Sequence, residues 1–266
     1  MAESEAGSYD YSVDSEEFKR LKHQAEVGRK IDSDIFRIHG IQDGMRVLDI
    51  GCGPGFISRL LAEMTPNGSV LGLDVSSDFV KLANEYNAMH PLTNLVFKTG
   101  NIYELSKLEE NFDFIFCSFV FQHLDRPIDA MKEVYDRLNP SGIALIEDVD
   151  DRLQIIYPEN ELLTKLYSMQ AKYQAKMGGD RFVGRKLHDF MKKVGFIDPK
   201  IHIETVNSIS IGMKTFLDLT TGYKVIFLDK NVYDFTKKDF DRMYEECLDG
   251  EHVATIGVYT ISAKKK

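Results

Sequence analysis

Apolar positions along the chain follow two periods that alternate. Leu21, Ala25, Val27, Ile31, Ile35 and Ile38 recur at helical spacing, after a Ser15-Glu-Glu17 start and before a Gly40 stop. Short apolar runs then mark strands at Val47–Ile50, Val70–Val75, Leu95–Phe97, Phe112–Cys117 and Ile143–Ile146. Helical patterns lie between them: Ile57, Leu60, Leu61 and Met64; Ser77 to Met89 with Phe79, Val80, Ala83 and Tyr86; and Ile128 to Leu138 opened by Pro127. Strand and helix in strict alternation predict an α/β protein with a mostly parallel sheet. Further on, Glu161 to Met177 reads as a helix broken by Gly178-Gly-Asp180, and Arg185 to Val194 as a helix closed by Gly195. Ile197–Val206 and Val253–Ile261 alternate as strands. Between them Thr236 caps a helix through Phe240, Met243, Tyr244 and Cys247.

The first strand ends in Asp49-Ile-Gly-Cys-Gly-Pro-Gly55, and the second ends at Asp74. Gly51, Gly53 and Gly55 lack a Cβ, so the backbone turns tightly there and approaches a ligand closely. Asp74, at the strand tip, is placed to accept hydrogen bonds from a ribose. A dinucleotide fingerprint requires a glycine where Phe56 stands, and no G-x-x-x-x-G-K-[ST] loop is present, so nothing here cradles phosphates. Asp49 would repel a pyrophosphate and attract a cationic or amine-bearing ligand.

On these residues the chain resembles the class I S-adenosylmethionine-dependent methyltransferases, whose hallmark is an acidic residue followed by G-x-G-x-G and a ribose-binding acid after the second strand. Further matches follow in order. Thr99-Gly-Asn-Ile102 stands where the family carries an adenine-contacting acid, here replaced by Asn101, whose side-chain carbonyl still accepts from an amine. Ser118, Val120, His123 and Leu124 resemble the serine-to-histidine segment of small-molecule methyltransferases, the type that includes ubiquinone and menaquinone enzymes. Leu138-Asn-Pro-Ser-Gly142 resembles the family's L-K-P-G-G turn. The matches cover residues 46 to 149.

The resemblance implies a Rossmann-like fold: a mostly parallel seven-stranded sheet with helices on both faces, the last strand antiparallel, and a helical substrate cap. It implies an amino-terminal lid segment and helix over residues 1–40, a cofactor-binding core over 41–151, and a remainder over 152–266 with cap insertions near 152–184 and 210–250. The implied activity is methyl transfer from S-adenosylmethionine, leaving S-adenosylhomocysteine, to an O, N or S atom of a small molecule. The implied cofactor residues are Tyr11, Arg20, Gln24, Asp49, Gly51, Cys52, Gly53, Asp74, Val75, Asn101, Ile102, Ser118, Phe119 and His123. An NAD-dependent oxidoreductase is disfavoured by Phe56; a non-catalytic S-adenosylmethionine-binding module is the other alternative.

Such chemistry needs proximity, exclusion of water and sometimes a base. His123 is the first candidate base and Asp148 the second, with Asp150, Tyr157 and His188 behind them. Orientation of a loop is the competing role for His123. The run Glu147-Asp-Val-Asp-Asp151 suits a cationic acceptor or a solvated loop equally well. No metal-ligand spacing occurs.

Composition narrows the picture further. The 266 residues, 43% of them hydrophobic, suffice for a full core. A formal charge of −9 argues against a nucleic-acid surface. Three cysteines without zinc or disulfide spacing suit a reducing compartment. No apolar run reaches membrane-spanning length, and the acidic amino terminus has no secretion signal. The expectation is a cytoplasmic monomer or homodimer acting on a small molecule.

Overall fold

The computed structural model describes residues 16–221 and 235–266. Its contacts form two compact units that part after Asn101.

The first unit carries α1 (Glu16–Ile38), β1 (Arg46–Ile50), α2 (Phe56–Met64), β2 (Ser69–Asp74), α3 (Ser77–Met89) and β3 (Leu95–Thr99). Its strands lie in the order β3-β2-β1, all parallel, with Val47 beside Val70 and Leu73 beside Lys98. Val47 and Leu48 on adjacent positions are both fully buried, as a parallel strand covered on both faces requires. Two glycines fit the layers together: a Cβ on Gly55 or on Gly72 would run into the Phe97 ring. α1 docks on this unit through Phe18, whose ring centroid lies 5.1 Å from Phe56 and 5.7 Å from Tyr86. Phe56, the residue that breaks the dinucleotide fingerprint, thus anchors the amino-terminal helix.

The second unit carries β4 (Phe112–Ser118), α4 (Pro127–Asp136), β5 (Leu138–Val149), β6 (Ile155–Tyr157), α5 (Glu161–Lys176), α6 (Leu187–Val194), β7 (Ile197–Asn207), α7 (Ser208–Ile211), α8 (Met213–Thr221), α9 (Lys237–Asp249) and β8 (Val253–Lys264). β4 and β5 are parallel, and β8 runs antiparallel to β5, β6 and β7, so the last strand has the expected direction.

Two details correct the sequence reading. The described strands number eight rather than seven, because the three residues of β6 pair with Val253–Thr255; a run that short shows no alternation. β5 also starts at Leu138, before the expected turn. Phe112 pairs with Leu138 and Phe114 with Ile143, so residues 139–142 form a bulge, with Ser141 at φ 63° and Asn139 Nδ2 donating to Asp113 Oδ1 at 2.7 Å.

Helices α5, α8 and α9 pack onto each other. Leu163 and Leu166 of α5, Phe216 and Leu217 of α8, and Met243 and Cys247 of α9 build a satellite core, with Met169 and Met213 packed against it. Asn160 caps α5, accepting from Leu163 N at 2.9 Å, and Thr236 with Asp239 forms a capping box on α9. Among the described residues no helix is long and apolar enough to cross a membrane.

Candidate functional site

The glycine turn is held from beneath and from the side by carboxylates of its own unit. Asp49 is 2% exposed and accepts from Ser58 Oγ at the start of α2. Burial, with the neighbouring Asp74 charge, pushes its carboxyl up to about 7. Asp49 therefore braces the junction between β1 and α2. Gly51 and Cys52 donate their N–H groups to the Leu73 carbonyl at 2.7 and 3.1 Å, tying the turn to the end of β2. Cys52 is buried, and desolvation raises its thiol well above its ordinary value, as in an inert structural cysteine.

Asp74 stands half-buried at the tip of β2. Its Oδ2 accepts from Gly53 N at 2.8 Å and its Oδ1 from Ser76 N at 2.9 Å. Desolvation raises its pKa, while backbone N–H groups of Ser76, Gly53 and Val75 oppose the rise. Gly53 has φ 52°, and a Cβ built there meets nothing within 4 Å, so the turn borders open space beside the Asp74 carboxylate. Gly100 N donates to Asp74 O at 2.8 Å, which brings the end of β3, and with it Asn101, to the tip of β2. Val75 is 72% exposed there. A glycine turn, a carboxylate, an exposed apolar side chain and an amide thus lie at adjacent strand tips.

The second unit gathers polar groups beyond the carboxyl ends of β4 and β5. Ser118 Oγ donates to Glu147 Oε2 at 3.3 Å. Phe119 follows with φ 56°, an uncommon backbone for a side chain of its size. Asp148 is fully buried; its Oδ1 accepts from Val149 N at 2.8 Å and its Oδ2 from Gln122 N at 3.0 Å. Burial pushes this carboxyl up to about 7. Without exposed lone pairs it has no access to an acceptor, and it acts here as the anchor of the 119–124 loop.

The same loop is locked from α5 and the chain that follows. The Gln122 carbonyl accepts from Asp180 N at 2.8 Å and from Gln174 Nε2 at 2.9 Å. Arg181, itself buried, forms a bidentate pair with Asp151 at 2.7 and 2.9 Å and donates to Gln122 Oε1. Asp150 is paired with Arg185, whose Nη2 lies 2.6 Å from its Oδ1. The two aspartates at the far end of the acidic run, Asp150 and Asp151, are thus each matched by an arginine. His123 Nδ1 lies 2.7 Å from Gln174 Nε2. Desolvation, with the Arg181 guanidinium adding to it, lowers the His123 pKa to about 4, so the ring is neutral near pH 7.

The structure thus brings Asp49, Gly51, Cys52, Gly53, Asp74, Val75 and Asn101 together in the first unit. In the second, Ile102 is buried at the start of a short turn, and Ser118, Phe119, His123 and Asp148 share one loop region. Tyr11 and the side chains of Arg20 and Gln24 lie outside the described residues. Tyr157 is exposed on β6. Sequence reasoning missed Ser58, Gln122, Gln174 and Arg181. For Arg181 the one signal was the Gly178-Gly-Asp180 break before it.

The family described as Methyltransferase domain matches residues 41–246. An uncharacterized methyltransferase of Schizosaccharomyces pombe is 27% identical over 163 residues, 59% of this chain and 58% of that protein. The mitochondrial ubiquinone biosynthesis O-methyltransferase of Saccharomyces cerevisiae is 33% identical over 132 residues, 48% of this chain and 39% of that protein. The chain thus spans less than two thirds of the length of these curated relatives. Among solved structures, Haemonchus contortus phosphoethanolamine N-methyltransferase 2 in complex with S-adenosyl-L-methionine superposes with a TM-score of 0.55 at 20% identity, covering 89% of this chain and 53% of that one. With the glycine turn and the strand order already in place, the match over residues 41–246 settles the family: the chain belongs to the class I S-adenosylmethionine-dependent methyltransferases.

Proposed function

We propose that this protein transfers a methyl group from S-adenosylmethionine to an O, N or S atom of a small molecule. The observation that carries the reading is the pairing of Asp74 with Gly53 beside open space, at the end of a strand followed by a tight glycine turn. When bound, S-adenosylmethionine supplies a methyl group activated on a sulfonium. Asp74 would hold the ribose hydroxyls, Val75 and Asn101 the adenine, and the backbone of Gly51–Gly53 the remainder, with Asp49 and Cys52 supporting that backbone. From the second unit the reading carries over Ile102, Ser118, Phe119 and His123 by their motif positions, and Arg20, Gln24 and Tyr11 from the amino-terminal segment. Asp148, at the end of β5, supports His123 by accepting from Gln122 N in the loop that carries it.

The reading includes no nucleic-acid or membrane partner and a monomeric or homodimeric protein. It places the chain in the cytoplasm, in keeping with three buried cysteines that form no disulfide. Calorimetric titration with S-adenosylhomocysteine, NAD and ATP is the direct test, followed by incubation with S-adenosylmethionine and a metabolite extract. Binding of S-adenosylhomocysteine and its formation with the extract are expected. Tighter binding of NAD would sink the reading, and cofactor binding without turnover in any extract would reduce the protein to a binding module.

A further inference from the structure

Gln174 lies on α5, 51 residues from His123, yet its side-chain amide is the partner of the ring nitrogen Nδ1 at 2.7 Å. Which way that amide faces is decided by its second contact. Gln174 Nε2 is also 2.9 Å from the backbone carbonyl of Gln122, and a carbonyl oxygen only accepts. The group facing both partners is therefore the NH2, which has two hydrogens, one for each. His123 Nδ1 must then be the acceptor, and in a neutral imidazole the remaining proton sits on Nε2.

We propose that Gln174 is a positioning residue that fixes His123 in its Nε2–H tautomer, so that His123 meets the acceptor as a hydrogen-bond donor and not as a general base. The inference deepens the methyltransferase reading and rests on it for the presence of an acceptor. It also narrows the acceptor class. A ring whose Nδ1 is occupied and whose Nε2 carries the proton has no lone pair with which to take a proton from the acceptor. The acceptor that fits is one whose attacking atom holds its own lone pair in solution, such as a neutral amine or an oxygen or sulfur already ionised. Its lone pair forms the new bond to carbon, the carbon–sulfur bond breaks with its electrons left on sulfur, and any surplus proton passes to water afterwards.

Other groups around the ring support the same state. Arg181 is the charged side chain that acts on His123, and its positive charge disfavours a second proton on the ring. Arg181 is itself bound to Asp151 and to Gln122 Oε1, so it stays in place beside the loop. Gln122 Nε2 donates to Phe119 O at 3.1 Å, and Gln122 N to Asp148, so the backbone that carries His123 is held at both ends.

Nitrogen-15 NMR of the full chain labelled at histidine reads the tautomer directly, because protonated and unprotonated ring nitrogens resonate far apart. His123→Gln identifies the signal among the seven histidines by its loss. In the wild type at pH 7 the expected pattern is an unprotonated Nδ1 and a protonated Nε2. In Gln174→Glu the carboxylate accepts instead of donating, so the pattern should invert. In Gln174→Met, where neither bond remains, the two nitrogens should average. A proton on Nδ1 in the wild type, or the same tautomer in wild type and Gln174→Met, overturns the inference; the second variant decides the matter if Gln174→Glu does not fold. A titration of the same wild-type sample with S-adenosylhomocysteine separates the two claims. No binding there sinks the methyltransferase reading whatever the tautomer, while binding with the wrong tautomer sinks only the role of Gln174.

Discussion

Gly179 passes so close to the backbone carbonyl of Gln122 that a Cβ on it would run into that oxygen. The crowding is with backbone, so no rotamer change can relieve it. Gly179→Ala should push the 178–181 segment away from the 119–124 loop and lose the Asp180 N to Gln122 O bond. Overpacking of this kind costs about 1–3 kcal/mol. Gly195→Ala is the comparison: its φ is 108° but a Cβ there meets nothing, so its cost is backbone strain alone, about 1–2 kcal/mol. Urea unfolding of both variants, with His123 NMR signals as a local report, checks the point. A shift of the His123 signals in Gly195→Ala and none in Gly179→Ala would contradict it.

Arg181 and Asp151 are a buried, bidentate ion pair with side chains 6% and 5% exposed. Taking away one partner leaves the other charge buried without compensation, which costs about 3–5 kcal/mol. Arg181→Met should fall in that range by denaturant unfolding. The double variant Arg181→Met with Asp151→Leu should recover most of the loss, since neither charge then remains. A double variant as unstable as the single one would mean that Arg181 stabilises the fold mainly through Gln122 Oε1.

The pairing itself shows where sequence reading stops. The run Glu147–Asp151 was visible as an acidic cluster, but its partners Arg181 and Arg185 lie 30 and 35 residues away, and no local pattern announces them. Parallel strands were legible because both faces are covered, so Val47, Leu48 and Ile115 fall in unbroken apolar runs. The α9 cap was legible because Thr236 and Asp239 meet within one turn. β6 was not, since three residues show no period. In the candidate site the glycine turn and Asp74 were explicit in the spacing. The depth of Asp49 and Asp148 was not, because burial depends on what the rest of the chain lays over them.

Asp148 and His123 should leave opposite marks on stability against pH. The folded-state carboxyl of Asp148 is raised from 3.8 to about 7, so in that window the folded protein keeps a proton that the unfolded chain releases. Stability from this group is greatest at the acid end and is lost as pH rises through about 7, with a slope of at most about 1.4 kcal/mol per pH unit. Asp49 adds in the same direction. His123, lowered from 6.5 to about 4, works the other way but more weakly, because its ring is exposed and screened by water: the unfolded chain takes the proton first, and stability is lost as pH falls from about 6.5 towards 4. Asp148→Asn should therefore flatten the loss of stability towards neutral pH, while His123→Gln should flatten the loss towards acid. Urea unfolding across the window measures both. Parallel curves for wild type and Asp148→Asn would show that Asp148 titrates alike in both states.

Asp74→Ala removes the partner of Gly53 N and Ser76 N as well as the proposed ribose contact. Each hydrogen bond to a charged group is worth about 1.5–3 kcal/mol. Affinity for S-adenosylhomocysteine should drop by roughly ten- to a hundredfold, which is about 1.4–2.8 kcal/mol. Asp74→Asn, which keeps one acceptor, should lie between. Calorimetry on folded variants decides, and equal affinity for all three proteins would move the ribose away from β2.

Phe216 of α8 lies in the satellite core at 2% exposure, its apolar face covered by neighbouring helices. In the fold that cover is α5 and α9, with Met243 and Cys247 on one side and Leu163 and Leu166 on the other. Phe216→Ala should then behave as a core truncation, costing about 3–5 kcal/mol, and Met243→Ala about 2–5 kcal/mol. Hydrogen exchange should quicken in α5, α8 and α9 together, because they share one core. Met213, only partly buried at the margin, should cost less when truncated, and Tyr223 lies outside the described residues. Affinity for S-adenosylhomocysteine should stay close to wild type in each folded variant. If Phe216→Ala instead keeps its stability and exchange pattern while acceptor KM rises, the side chain meets the acceptor in solution and the satellite core is not what holds α8 in place.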